Sequence, residues 1–255
     1  MSKQRIPQLV AHRGYMEKYP ENTWAGLEAA LNAGACWLEF DVQMCADGRF
    51  ILLHDADFKR TGSDPRSVFS ANSQTLQSIS VHEPERLGER FFPAAAPGLD
   101  TVLKQLAGFP AAHALVEIKD ESLDYWGMEK VMDALLDTLA PFRHQCTLIA
   151  YSAAALTYAQ RQGDYATGWV LRKYDSQHRE RAMQINPRFL ICNENRIPPG
   201  ETPWHGNWQW MLYDISDPQI ALQWSARGIQ LIETRDIKAM LQHPLLARKA
   251  CRHGL

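Results

Sequence analysis

Apolar residues recur along this chain with two alternating periods. The segment "QLVAH" is a short apolar run, and behind it the pattern turns helical from Asn22 to Gly34, with Asn22 or Thr23 as N-cap and Gly34 as stop signal. "WLEFDVQM" and "RFILLHD" are strand-like and are joined by the tight turn signal "ADG". "HALVEIK" precedes a helix from about Tyr125 to Leu139. "CTLIAYS", "TGWVL" and "RFLICN" read as further strands, each trailed by a helical stretch except the last. "WQWMLYDI" follows, with a helix around Pro218 to Arg227 behind it, and "IQLIET" comes last. β-type segments followed mostly by helices favour a parallel sheet with helical crossovers. With 255 residues and no linker, closure into one (β/α)8 barrel (a TIM barrel) spanning 1–255 is the leading expectation, and a doubly wound open sheet is the alternative.

Two stretches break the alternation. Between His54 and Asp100 the chain is rich in Ser, Pro, Asn and Gly and weakly periodic, as expected of a functional loop or a small subdomain. The segment "ENRIPPGETPWHGN" holds three prolines and cannot be a normal crossover helix. The hydrophobic fraction of 45% and the charged fraction of 22% are those of a globular protein with a sizeable core. A net charge of −2 gives no basic footprint and argues against nucleic acid as partner. No apolar run is long enough to span a bilayer, and "MSKQRIPQLVAHRG" has no signal-peptide core. Five scattered cysteines (Cys36, Cys45, Cys146, Cys192, Cys251), with no CxxC pair, suggest neither a disulfide framework nor a zinc site. A cytoplasmic protein is the simplest reading.

The chemistry lies in charges placed where a barrel strand should be apolar. In "WLEFDVQM", Leu38, Phe40 and Val42 take the helix-facing side, so Glu39, Asp41 and Gln43 point inward. "LVEIKD" repeats the design, with Val116 and Ile118 outward and Glu117 and Lys119 inward. Buried charge is costly unless paired or bound to metal. Two readings fit: an ion-pair cluster in which Arg13 and Lys119 neutralise the acids, or a divalent cation held by Glu39, Asp41 and Glu117. Three carboxylates without cysteine form a hard oxygen site suited to Mg2+ or Ca2+. In the second reading Arg13 and Lys119 become the anion-binding half of the cavity, which suggests a phosphate ester. His12 and His54 follow apolar strand segments, at the end where barrel active sites lie, and imidazole suits proton transfer near neutral pH.

These residues resemble a known family. "AHRG…PENT…LEFDVQMCADGRFILLHDADFKRTG", followed by "VEIK", is similar to the glycerophosphodiester phosphodiesterases. Their signature orders His-Arg-Gly, Pro-Glu-Asn-Thr, Glu-x-Asp, Asp-Gly, His-Asp and Glu-x-Lys. "APGLDTVL" and Tyr151-Ser152 resemble weaker family segments. The resemblance implies a (β/α)8 barrel with a small insertion after the second strand unit, here at about 56–98. It implies that His12 and His54 are the acid–base pair, that Glu39, Asp41 and Glu117 hold one divalent metal ion, and that Arg13 and Lys119 bind the phosphate. Glu21 supports the site by hydrogen bonding, Asn22 and Thr23 cap a helix, and Asp55 is a supporting or turn residue.

The C-terminal third departs from the family pattern. Where many members carry Trp-Thr-Val-Asn this chain has "LYDIS", with Tyr213 at the aromatic position, and the usual Thr-Asp of the last strand becomes Glu233-Thr234. Tyr213 is either core packing or a contact to the substrate alcohol. Glu233 is either a rim ion pair with Arg235 or a second such contact. The expected activity is metal-dependent hydrolysis of a small glycerophosphodiester to sn-glycerol 3-phosphate and an alcohol. The alternatives are a lysophospholipid or another phosphodiester at the same site, and a non-catalytic binding module. Oligomeric state is left open.

Overall fold

The computed structural model describes residues 5–251. Its strands are β1 (Gln8–Ala11), β2 (Trp37–Met44), β3 (Phe50–Leu52), β4 (Asp57–Phe58), β5 (Asp64–Ser67), β6 (His113–Ile118), β7 (Cys146–Ala150), β8 (Thr167–Val170), β9 (Phe189–Asn193), β10 (Gln209–Tyr213) and β11 (Leu231–Thr234). Its helices are α1 (Trp24–Asn32), α2 (Lys59–Gly62), α3 (Ser73–Leu76), α4 (Pro84–Leu87), α5 (Leu99–Leu106), α6 (Asp120–Trp126), α7 (Met128–Leu139), α8 (Ala153–Gln162), α9 (Ser176–Ile185), α10 (Pro218–Ala226) and α11 (Ile237–Leu241).

The main sheet runs β1-β11-β10-β9-β8-β7-β6-β2-β3, and β1 also pairs with β2, which closes it. All pairings in it are parallel except β2–β3, so eight strands form a parallel barrel and β3 hangs antiparallel from β2 as the return arm of a hairpin. Period-two alternation divides the apolar residues between two cores. Leu38, Phe40, Val42, Val116 and Ile118 join the large cluster under the helices. Val10, Leu115, Ile149, Val170, Phe189, Ile191, Met211 and Leu231 fill the barrel interior. The segment between β3 and α5 carries β4, β5 and α2–α4 over a small core of its own that includes Phe58, Val68, Leu76 and Ile79.

Three local expectations are corrected. Helix Tyr125–Leu139 is two helices, because Gly127 takes φ +87° and ends α6 before α7 begins. Thr23 alone caps α1, its hydroxyl accepting from the Gly26 N–H at 3.2 Å; Asn22 is engaged elsewhere. The cysteines are not all unpaired: Cys36, just before β2, forms a disulfide with Cys251 at a Cα–Cα distance of 5.2 Å. A separation of 215 residues leaves no trace in spacing, and only barrel closure brings the C-terminal segment beside the entry to β2. The cysteine argument for a reducing compartment goes with it. After β9 a 3-10 turn at Glu194–Arg196 replaces a crossover helix, as the proline run requires. Among the described residues no helix is long and apolar enough to cross a membrane.

Candidate active site

The C-terminal ends of β1, β2, β6, β7, β10 and β11 surround a cavity of about 430 Å3. His12, Arg13, Glu21, Glu39, Asp41, His54, Glu117, Lys119, Tyr213 and Glu233 all line it. The fold therefore brings together every residue singled out for catalysis, phosphate, metal or alcohol, in the position where barrels carry function.

The turn after β1 explains the adjacency of His12 and Arg13. Arg13 adopts φ +50° and Gly14 φ +83°, and a Cβ at Gly14 would lie 2.6 Å from the Gly26 carbonyl carbon in α1. The chain thus turns tightly against the first turns of α1, and both long side chains are left over the barrel mouth. The Arg13 backbone N–H donates to Glu39 Oε2 at 3.1 Å. Its guanidinium donates to Glu21 Oε1 at 2.9 Å, and its Nε lies 3.0 Å from Asp41 Oδ2. Burial works against the Arg13 charge, but Asp41, Glu21 and Glu39 outweigh it and raise its pKa. His12 is pushed down to about 3, by burial first and by Arg13 second, so its imidazole is neutral. Glu39 and Glu233 approach its Nε2 at 3.9 and 4.0 Å, and Asp214 its Nδ1 at 4.0 Å.

Glu39, Asp41 and Glu117 present carboxylate oxygens within 4.8 Å of one another. Lys119 Nζ sits among them, 2.7 Å from Glu117 Oε1 and 3.3 Å from Asp41 Oδ1. Despite burial, Arg13 and Lys119 hold Asp41 well below the usual carboxylate range. Burial and the negative charge of Asp41 push Glu39 far up; burial likewise raises Glu117, against the pull of Lys119. Among the described residues buried Glu39 Oε1 has no hydrogen-bond partner. An unpartnered carboxylate oxygen in an all-oxygen donor set fits a hard divalent cation. The three carboxylates could hold one.

Further contacts hold these groups in place. Asn22, at φ +54°, clasps Asp41 from both ends of its amide: Nδ2 donates to Asp41 Oδ2 at 3.0 Å, and Oδ1 accepts from the Asp41 N–H at 3.1 Å. His54 Nδ1 lies 2.6 Å from Asp55 Oδ1. Asp55 Oδ2 accepts from Arg60 Nε at 2.7 Å, and Arg60 closes a bidentate pair on Glu21 at 2.7 Å for both bonds. One unbroken chain of polar contacts thus runs from His54 through Asp55, Arg60 and Glu21 to Arg13. Glu83 accepts from the Glu21 N–H at 2.6 Å, and Arg86 ties Glu83 to the carbonyl of Tyr19. Arg60, Glu83 and Arg86 come from the segment after β3, whose pattern carried no signal of them.

Among the described residues Glu233 makes no ion pair with Arg235. It is 3% exposed, its Oε1 is unpartnered, and its pKa is raised by burial and then by Glu117. Tyr213 is half-buried with its hydroxyl 3.4 Å from that of Tyr151, and it both lines the cavity and packs on the barrel-interior core.

Comparisons with known proteins bear on the family and the fold. The profile of the glycerophosphoryl diester phosphodiesterase family matches residues 12–189. Glycerophosphodiester phosphodiesterase 1 of Bos taurus is 42% identical over 241 residues, 88% of this chain and 70% of that protein. A glycerophosphodiester phosphodiesterase of Bacillus altitudinis is 46% identical over 132 residues, 49% of this chain and 50% of that one. The chain spans about half the length of the first curated relatives it matches. Two solved structures share the fold at 20% identity. The glycerophosphodiester phosphodiesterase of Agrobacterium tumefaciens superposes with a TM-score of 0.73 over 93% of this chain and 100% of that one. An Oleispira antarctica phosphodiesterase in complex with the product sn-glycerol-3-phosphate superposes with 0.79 over 93% and 96%.

Proposed function

Because the chain belongs to the glycerophosphoryl diester phosphodiesterase family, we propose that its cavity hydrolyses glycerophosphodiesters to sn-glycerol 3-phosphate and an alcohol. The observation that carries this reading is the convergence of His12, His54, Arg13, Lys119 and the Glu39–Asp41–Glu117 group on one cavity. The product named in the Oleispira antarctica complex has the phosphate and glycerol such a cavity would address.

Arg13 and Lys119 are the groups for the non-bridging phosphate oxygens, since both stay charged although buried. Glu39, Asp41 and Glu117 would hold one divalent ion, Mg2+ or Ca2+, which when bound supplies Lewis-acid stabilisation of charge building up on the phosphoryl oxygens. Neutral His12 is the acceptor suited to take the proton from the attacking hydroxyl or water. His54, its Nδ1 engaged by Asp55, keeps Nε2 as the nitrogen that returns a proton to the departing alkoxide. The P–O bond to the alcohol breaks as the new P–O bond forms, His12 gaining one proton and His54 giving one up; where the substrate's own hydroxyl attacks first, water then opens the cyclic phosphate to glycerol 3-phosphate. Tyr213 and Glu233 are assigned to the alcohol portion of the substrate.

Phosphorus NMR on glycerophosphocholine, glycerophosphoethanolamine and a lysophospholipid tests the reaction. Glycerol 3-phosphate should appear from the first two and vanish on chelation; full activity in thoroughly metal-free protein would remove the cation from this account. The alcohol assignment is tested with Tyr213→Ala, which should lower kcat/KM on glycerophosphodiesters while sparing an activated aryl diester. Equal loss on both would make Tyr213 structural.

A further inference from the structure

The opposite end of the barrel holds a larger cavity, of about 910 Å3, which the reaction above does not use. Its walls come from strand beginnings, where the active site takes strand ends: Gln8 opens β1, Trp37 opens β2, Gln209 opens β10 and Leu231 opens β11. Among the described residues Arg5, Arg188, Arg248 and Lys249 line it, and no Asp or Glu does. In a chain of net charge −2, four cations have been gathered around one concavity whose described lining holds no acid. Among the described residues none of the four forms an ion pair.

Like charges held together repel, and a concave low-dielectric wall concentrates their field. His113, at the start of β6 and packed on Trp37 at a ring distance of 4.4 Å, is subject to it. Its pKa is pushed down to about 4, by burial first and then by the charge of Arg188. Of the two lining amides whose oxygens are buried or engaged, Gln8 keeps an Oε1 unpartnered among the described residues, and Gln230 turns a donor to the cavity. Gln230 Oε1 is committed to the Trp210 N–H at 2.7 Å, which leaves the amide NH2 as the end available to the cavity. Arg248 and Lys249 ride on the 3-10 turn Leu246–Lys249, and that turn is anchored beside β2 by the Cys36–Cys251 disulfide and by the Cys251 N–H bonding the Gly34 carbonyl at 2.9 Å. The backbone that carries them is thus held in place beside the cavity.

We propose that this N-terminal end of the barrel is a second binding site, for a small phosphate compound carrying two or more negative charges. Guanidinium forks match phosphate oxygens in pairs, and several cations facing one another suit more than one phosphoryl oxygen group. The concave shape favours a compact anion over a flat charged surface.

Calorimetric titration of inorganic pyrophosphate into the protein tests the site, with chelator present so that divalent ions contribute nothing. A saturable isotherm is expected, weakened about tenfold or more in Arg188→Gln/Arg248→Gln, the effect of losing charge-assisted hydrogen bonds. The same isotherm should persist in Arg13→Gln, which removes one of the two cations assigned to phosphate in the active site. Absence of saturable heat, or binding that survives the double variant and is lost in Arg13→Gln, would overturn the proposal. Circular dichroism of both variants separates lost binding from lost folding. Pelleting with phosphatidylcholine vesicles containing phosphatidate distinguishes the source of the phosphate. Pelleting that pyrophosphate displaces assigns a lipid headgroup, and calorimetric binding without pelleting assigns a free compound.

Discussion

Asn22 spends its whole amide on Asp41, donating to the carboxylate and accepting from the backbone of the same residue. A side chain that fixes a metal-ligating carboxylate typically changes metal affinity or activity by about 10- to 100-fold when removed. Asn22→Ala should therefore weaken Mg2+ or Ca2+ activation by that factor with little change in stability at saturating cation. Cation titrations of activity read it, and an unchanged half-saturation would reduce Asn22 to a turn residue. His12→Ala and His54→Ala should each cut kcat by roughly 10²–10⁴-fold, as loss of an acid or base does; wild-type turnover in either would dissolve the pair. The inward charges could be read in sequence because period two leaves Glu39, Asp41 and Glu117 nowhere else to point. Arg60 could not: it reaches Glu21 and Asp55 from a helix of four residues, too short to carry any periodicity.

At the scale of elements, the turn after β1 and the helix it leans on form one unit. Gly14 needs both a left-handed backbone and the absence of a Cβ, since Gly26 carbon and Leu27 nitrogen would lie at 2.6 and 2.7 Å from one. Gly14→Ala should destabilise the protein by about 1–3 kcal/mol or more, and should lower activity by moving His12 and Arg13. Denaturant unfolding measures the first effect, and kcat of the folded variant the second. A fully stable variant would mean that α1 yields readily. The barrel strands and most crossover helices are legible because each has one continuous periodic face. The break at Gly127 is less so, since a single glycine within an otherwise helical pattern is compatible with an unbroken helix. The antiparallel setting of β3 follows from the two-strand pattern joined by "ADG", whereas the small core over which β4, β5 and α2–α4 pack is assembled from scattered apolar residues.

For the whole molecule, the Cys36–Cys251 bridge ties the end of the chain to the start of the second barrel strand across 215 residues. Cross-links of this kind contribute about 2–4 kcal/mol, largely by restricting the unfolded chain. Cys36→Ser should lose that much in denaturant unfolding under oxidising conditions, and reductant should bring wild type to the level of the variant. The buried acids set a second dependence. Glu39, Glu117 and Glu233 all have folded pKa values raised above the ordinary 4.5, by burial first. Such groups bind protons more tightly in the folded than in the unfolded state. Without cation, they make stability fall as pH rises from about 4.5 through their raised values. Asp41 and Asp55 are shifted the other way, so their contribution is lost only on acidification below the usual carboxylate range. A cation held by Glu39, Asp41 and Glu117 replaces the protons, and at 100 times its Kd it stabilises the fold by about 2.7 kcal/mol. Thermal melts from pH 4.5 to 8, with and without Mg2+ or Ca2+, should show a gain from cation that is largest at neutral pH and shrinks toward pH 4.5, where protons compete for the same oxygens. A gain independent of pH would place the bound ion away from these three carboxylates.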